Sequence, residues 1–176
     1  MTDREPDAQA AAAPGKYLTF TLGDESYGIT VAVVRAIIKL CPITPVAGMP
    51  PYVKGVINLR GKVIPVVDLR TRFGLPPRAD DERTLVIVTA LPTLSGGARL
   101  HGVIVDRVDE LATFTAADIE PTPDFGGAID IRFIQGMAKS GDRVTALVDL
   151  EGIAAAAIAA PGPEPIAPRA TPASPA

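Results

Sequence analysis

The sequence predicts an all-β protein built as two small β-barrels packed side by side. Three observations carry this: a two-residue apolar period dominates residues 16 to 153, an internal repeat spans the same stretch, and each copy is short. Roughly 65 residues per copy are too few for a sandwich but enough for about five short strands closing on themselves. The chain has 176 residues, 47% hydrophobic and 21% charged, which is the balance of one ordinary domain or two small ones.

Residues 1 to 15 are Ala-rich and polar and are expected to form a disordered tail. Leu18, Phe20 and Leu22 then alternate with Thr19 and Thr21, and Gly23-Asp24-Glu25-Ser26 turns the chain into Tyr27-Gly28-Ile29, a hairpin signature. Val31, Val34, Ile37, Ile38 and Leu40 are more apolar than a solvent-facing edge tolerates. They fit either core packing or the lining of a groove that takes the apolar stripe of an amphipathic helix. Pro51 to Lys54 suggests a helical turn.

The stretch VINLRGKVIPVVDLR, Val56 to Arg70, reads as two strands around the turn Asn58-Leu59-Arg60-Gly61. Pro65 lacks an N–H and is expected at an edge or a bulge. A second helical turn fits Asp68 to Phe73, with Asp68 as its cap and Gly74 as its stop. Leu85 to Val88, Gly102 to Val105 and Val144 to Val148 are further strands rich in β-branched residues. From about Asp149 to Ala160 the run AAAAIAA favours a short C-terminal helix, and beyond it six of the eighteen prolines mark a second disordered tail.

Laid at an offset of 81, Gly55 to Arg70 falls on Gly136 to Glu151 without a gap, matching Gly55 to Gly136, Val63 to Val144 and Val67-Asp68-Leu69 to Val148-Asp149-Leu150. At an offset of 74, Tyr27 to Ile37 falls on His101 to Leu111. The halves are diverged copies, expected to form two barrel subdomains within residues 16 to 153 and to meet near residues 78 to 84. Such small barrels have little interior of their own, so much apolar surface should be buried between them, leaving a groove along the seam.

A net charge of −3 and a pI near 5.2, with no Lys/Arg-rich block, argue against nucleic acid and for a protein partner. Cys41 is the only cysteine and His101 the only histidine, so neither an internal disulfide nor a zinc cluster can form, and no metal or cofactor is expected. No stretch approaches the ~20 apolar residues of a membrane span, and the N-terminal segment lacks the apolar run of a signal peptide, so a cytosolic protein is expected. Cys41 fits a small packing residue and His101, in the place of Tyr27, a half-buried strand residue. Asp68 and Asp149 could be a carboxylate pair for acid–base work, but each follows a strand and precedes a helical turn, where an aspartate caps. Ser95-Gly96-Gly97 lacks the lysine of a phosphate loop, and Asp80-Asp81-Glu82 suits a solvated loop. No catalytic set emerges, so an enzyme is not expected.

FTLGDESYGI, PPYVKGVINLRGKVIPVVDLRTRFG and HGVIVDRVDEL together resemble the CheW family of bacterial chemotaxis coupling proteins, over about Lys16 to Gly152. GVINLRG followed by a V-P-V-x-D-L strand is the most specific part of that likeness. The resemblance implies two five-stranded SH3-like barrels around a shared hydrophobic core. It also implies a non-enzymatic adaptor that joins the cytoplasmic tip of chemoreceptors to the regulatory domain of the histidine kinase CheA, monomeric in isolation and assembling into membrane-associated arrays. A related pathway, such as pilus or biofilm signalling, is the alternative.

The resemblance further implies that Arg60 binds the receptor, and that Val31, Val34 and Ile37 on one copy, with Val105 and Val108 on the other, line the receptor groove. It places Phe125 and Glu120 at the contact with the kinase in the ring. Where the family commonly has Glu, this sequence has Ala36, while Glu110 stands at the corresponding place of the second copy.

Overall fold

The computed structural model describes residues 12–76, 79–93, 95–122 and 133–153. Among the described residues eleven strands run in order: β1 (Gly15–Leu22), β2 (Glu25–Thr30), β3 (Val34–Lys39), β4 (Val53–Leu59), β5 (Lys62–Asp68), β6 (Leu85–Pro92), β7 (Ala98–Val105), β8 (Arg107–Phe114), β9 (Ile119–Glu120), β10 (Ile134–Ser140) and β11 (Arg143–Val148). A 3₁₀ turn at Val31–Val33 precedes β3, and the short helix α1 (Leu69–Arg72) follows β5. Residues 150–153 are helical; the rest of the expected C-terminal helix, the C-terminal tail and residues 1–11 lie outside the described residues, but the expected N-terminal tail is ordered from Ala12, whose N–H donates to the Gln135 carbonyl (3.3 Å), and Gly15 already belongs to β1.

The strands form two barrel-like sheets, ordered β8-β1-β2-β11-β10-β9 and β3-β6-β7-β5-β4, as an all-β pair of barrels requires. The sequence halves, however, do not each close their own barrel. The first barrel joins β1 and β2 of the first half to β8–β11 of the second, and the second joins β6 and β7 to β3–β5. Residues 79–84 therefore connect α1 to β6 within one sheet, and the chain changes barrel instead at Val31–Val33 and at Asp106. Recurrence of residues reveals duplicated strands but carries no information about which copy supplies the partner. The shared core settles that.

The exchange is equivalent on both sides. β2 pairs parallel with β11, Gly28 opposite Leu147, and β5 pairs parallel with β7, Val66 opposite Gly102; the two offsets convert one pairing into the other. Both glycines are there for space. A Cβ on Gly28 would lie 3.2 Å from Leu147 Cδ2, and one on Gly102 only 2.9 Å from Val86 Cγ1, so a larger residue would push apart the junction on which each barrel depends.

The shared core draws Phe20, Leu22 and Ile29 from the first barrel and Val67, Ile87 and Val105 from the second. A smaller cluster fills the second barrel around Ile57, Val66 and Val86, with Cys41 half-buried beside it. Two arginines tie the barrels together. Arg70, buried on α1, donates from Nε to Asp106 Oδ1 (3.3 Å), pairs through Nη2 with Oδ2, and donates from Nη1 to the Pro76 carbonyl. Asp106 Oδ2 also accepts from the Gly23 N–H (2.7 Å) in the β1–β2 turn. Arg72 lies between the rings of Tyr52 (4.8 Å) and Phe133 (4.5 Å), repeat equivalents from opposite barrels.

Asp68 and Asp149 are caps: Asp68 accepts from the Arg70 N–H (3.0 Å) and Asp149 from the Gly152 N–H (3.0 Å). Residues 51–52 form a turn and Lys54 already belongs to β4, in place of the helical turn expected there. Pro65 lies inside β5 opposite Val56, one residue before the pairing with β7 begins, so the edge expected for it exists only locally.

Candidate functional site

The β4–β5 hairpin pairs Leu59 with Lys62, leaving Arg60 and Gly61 as a two-residue loop. Both have positive φ, 53° and 86°, the type I′ geometry that matches strand twist and prefers Asn-Gly. Asn58 Oδ1 accepts from the Gly61 N–H (2.9 Å), which fixes the turn without help from Arg60. A left-handed backbone costs a non-glycine residue about 1 to 2 kcal/mol. The equivalent residue of the β10–β11 hairpin is Gly141, with φ 63°. Arg60 thus occupies a glycine's conformation, is exposed, and among the described residues has no hydrogen bond or ion pair.

The apolar residues divide by exposure. Val31 and Val34 are half-buried, and Ile37 on β3, at the end of its sheet, is 43% exposed. Val108 is half-buried and packs on the shared core, as does its equivalent Val34. Val105 is 0% exposed inside that core, which corrects its assignment to a groove: β7 turns it inward between Val103 and the chain crossing at Asp106. Ala36 is half-buried on β3. β3 and β4 are the two ends of their sheet, and the chain beyond β3 returns through Thr44 to bridge Val56 on β4. Among the described residues no hydrogen bond or ion pair joins Arg60 to Val31, Val34 or Ile37. Glu120 is exposed on β9 and pairs with Lys139 of β10. Phe125 lies outside the described residues.

The sequence reading missed a pair of grooves. Groove A, about 620 Å³, lies on the first barrel between the β1–β2 turn and β10–β11, and groove B, about 720 Å³, lies on the second between β7 and β4–β5. They are repeat equivalents: Ile134, Met137 and Val144 line A where Val53, Val56 and Val63 line B. Val144 and Val63 are 52% and 67% exposed, a high exposure for large apolar residues inside strands. Their charge differs. Groove A holds Asp24, Glu25, Arg107 and Arg143, whereas the charged residues lining B are Lys62 and Arg99. The available signal was that Val63 and Val144 recur in the repeat on the face opposite Ile64 and Thr145, both buried.

The floors differ too. Beneath groove A, Tyr27 is buried and its hydroxyl donates to Glu25 Oε1 (2.5 Å); burial first, and Glu25 second, push its pKa up. Beneath groove B its equivalent is His101, buried where a half-buried residue was expected. Burial pushes the imidazole pKa down, aided by the Arg99 charge and opposed by the contact with the Arg99 carbonyl.

The CheW-like domain family matches residues 16–157. The chemotaxis protein CheW of Klebsiella aerogenes is 38% identical over 136 residues, covering 77% of this chain and 79% of that protein. The chemotaxis protein CheW of Rhizobium meliloti is 34% identical over 136 residues, covering 77% and 84%. Among solved structures, the scaffolding protein TtCheW from Thermoanaerobacter tengcongensis superposes with a TM-score of 0.68 at 35% identity, over 77% of this chain and 88% of that one.

Proposed function

The chain belongs to the CheW family, and on that premise we propose that it is a non-enzymatic chemotaxis adaptor coupling the cytoplasmic tips of chemoreceptors to the histidine kinase CheA. It works in the cytoplasm, is recruited to receptor arrays, and transmits a receptor shift by differential contacts and not by bond chemistry. Arg60 carries this reading. A planar, permanently charged fork held at a backbone position suited to glycine, with no partner among the described residues, serves a contact outside the molecule. Val31, Val34 and Ile37 supply the apolar part of the receptor contact, with Val108 beside the other crossing.

Grooves A and B suit contacts with barrels of the kinase regulatory domain, since each offers an exposed valine among further apolar side chains, with its own charge pattern. Phe125 and Glu120 belong to the same contact. The test is titration of a receptor-tip peptide bundle against Arg60→Ala: affinity should fall by about 1 to 3 kcal/mol with thermal stability nearly unchanged. Receptor binding that survives the substitution would remove Arg60 from the site.

A further inference from the structure

Groove B stands over a residue that its twin does not have. His101 is 5% exposed, its Nδ1 lies 3.3 Å from the Arg99 carbonyl oxygen, and among the described residues Nε2 has no partner. The acceptor that serves Tyr27 is Glu25; at the equivalent place beside His101 stands Arg99, a cation with nothing to accept. His101 also walls a void of about 10 Å³ with Val67, Leu91, Val103, Leu150 and Ile153. That void lies on the seam, because Leu150 and Ile153 belong to the helical turn that follows β11 of the first barrel.

We infer that His101 is an acid-sensitive latch: neutral, it seals groove B to the seam, and its protonation loosens groove B and the turn at 150–153 while groove A stays intact. With Nδ1–H donating to the Arg99 carbonyl, the neutral ring leaves Nε2 without a proton, which an apolar void tolerates far better than a buried cation with an unmet N–H. Among the described residues no neighbouring carboxylate relieves that cation. On its own strand the nearest charge is Arg99, and Lys62 lines the same groove. From β5 the ring meets Val67, while Asp68 caps α1 and pairs with Lys54 (3.7 Å). From β6 it meets Leu91 and the neutral Thr89, whose hydroxyl donates to the His101 carbonyl (3.3 Å). On the helical turn Asp149 is engaged by Gly152 and Glu151 is exposed.

The depressed imidazole pKa has a definite sign. The unfolded chain holds the proton more tightly than the folded one, so the stability that neutral His101 contributes is complete above about pH 6.5 and is lost as pH falls from there through the folded value. Tyr27, shifted upward, does not titrate in that window.

Because His101 is the only histidine, its ring resonances in the full chain are unambiguous, and no partner is needed to test the latch. NMR titration from pH 7.5 to 5, with amide exchange recorded at each step, should give an imidazole midpoint below the ordinary value. Protection should be lost at Leu150–Ile153 and along β7, with Ser26 and Tyr27 unchanged. His101→Val and His101→Phe should lose this part of the acid response, and if neither folds the wild-type titration decides alone. A midpoint at or above the ordinary value, equal loses of protection at both grooves, or variants that keep the wild-type response would each overturn the inference. Failure of receptor or kinase binding would bear on the proposed adaptor role and not on the latch.

Discussion

The β4–β5 and β10–β11 hairpins are the same device built twice, with left-handed loop starts at φ 53° and 63°, yet one carries Arg60 and the other Gly141. The strands below them recur, the caps Asp68 and Asp149 recur, and the crowded glycines Gly28 and Gly102 recur. Several charges do not recur. Arg60, Arg70, Asp106 and Arg99 stand opposite Gly141, Glu151, Ala32 and Glu25. Duplication supplied a symmetric frame, and the charges placed on it are asymmetric.

The largest break in the frame should come from Arg70. Arg70→Met removes one partner of a buried pair and leaves Asp106 with only part of its compensation, so unfolding free energy in urea should fall by about 3 kcal/mol. Glu151→Met, at the exposed equivalent position, should change it by less than about 0.5 kcal/mol. Equal effects would show that the inter-barrel tie is not where the two halves differ.

Next in size are the glycines at the parallel junctions. Gly102→Ala meets the branched, buried Val86 at 2.9 Å and should cost about 1 to 3 kcal/mol, more than Gly28→Ala, whose nearest contact is 3.2 Å. The reverse order in thermal melts would mean that the first barrel is the less adaptable one.

The smallest effect on stability is expected at the groove valines. Val63→Ser and Val144→Ser remove exposed methyl groups and should each shift stability by less than about 0.5 kcal/mol. They should nonetheless weaken capture of the kinase regulatory domain, measured by pull-down. Unchanged capture by both would detach the grooves from that contact.

Much of the frame was legible in the sequence because it is local. The β1–β2 hairpin and the two aspartate caps follow from alternation, turn residues and the repeat. The strand exchange was not legible, since Val66 opposite Gly102 and Leu147 opposite Gly28 are long-range choices fixed by the shared core. Arg60 and Val105 were both assigned through the resemblance; Val105 is buried in the shared core whereas its equivalent Val31 is half-buried at the first crossing, and alternation alone does not distinguish an inward valine from an outward one. The exposure of Val63 and Val144 was not legible for the same reason.

The central claim, that Arg60 is a contact residue placed on a glycine's backbone, is tested most directly by Arg60→Gly. Affinity for the receptor tip should fall by about 1 to 3 kcal/mol, roughly 5- to 150-fold, while the melting temperature stays level or rises because backbone strain is relieved. Retained affinity, or a melting temperature that falls along with it, would contradict the claim.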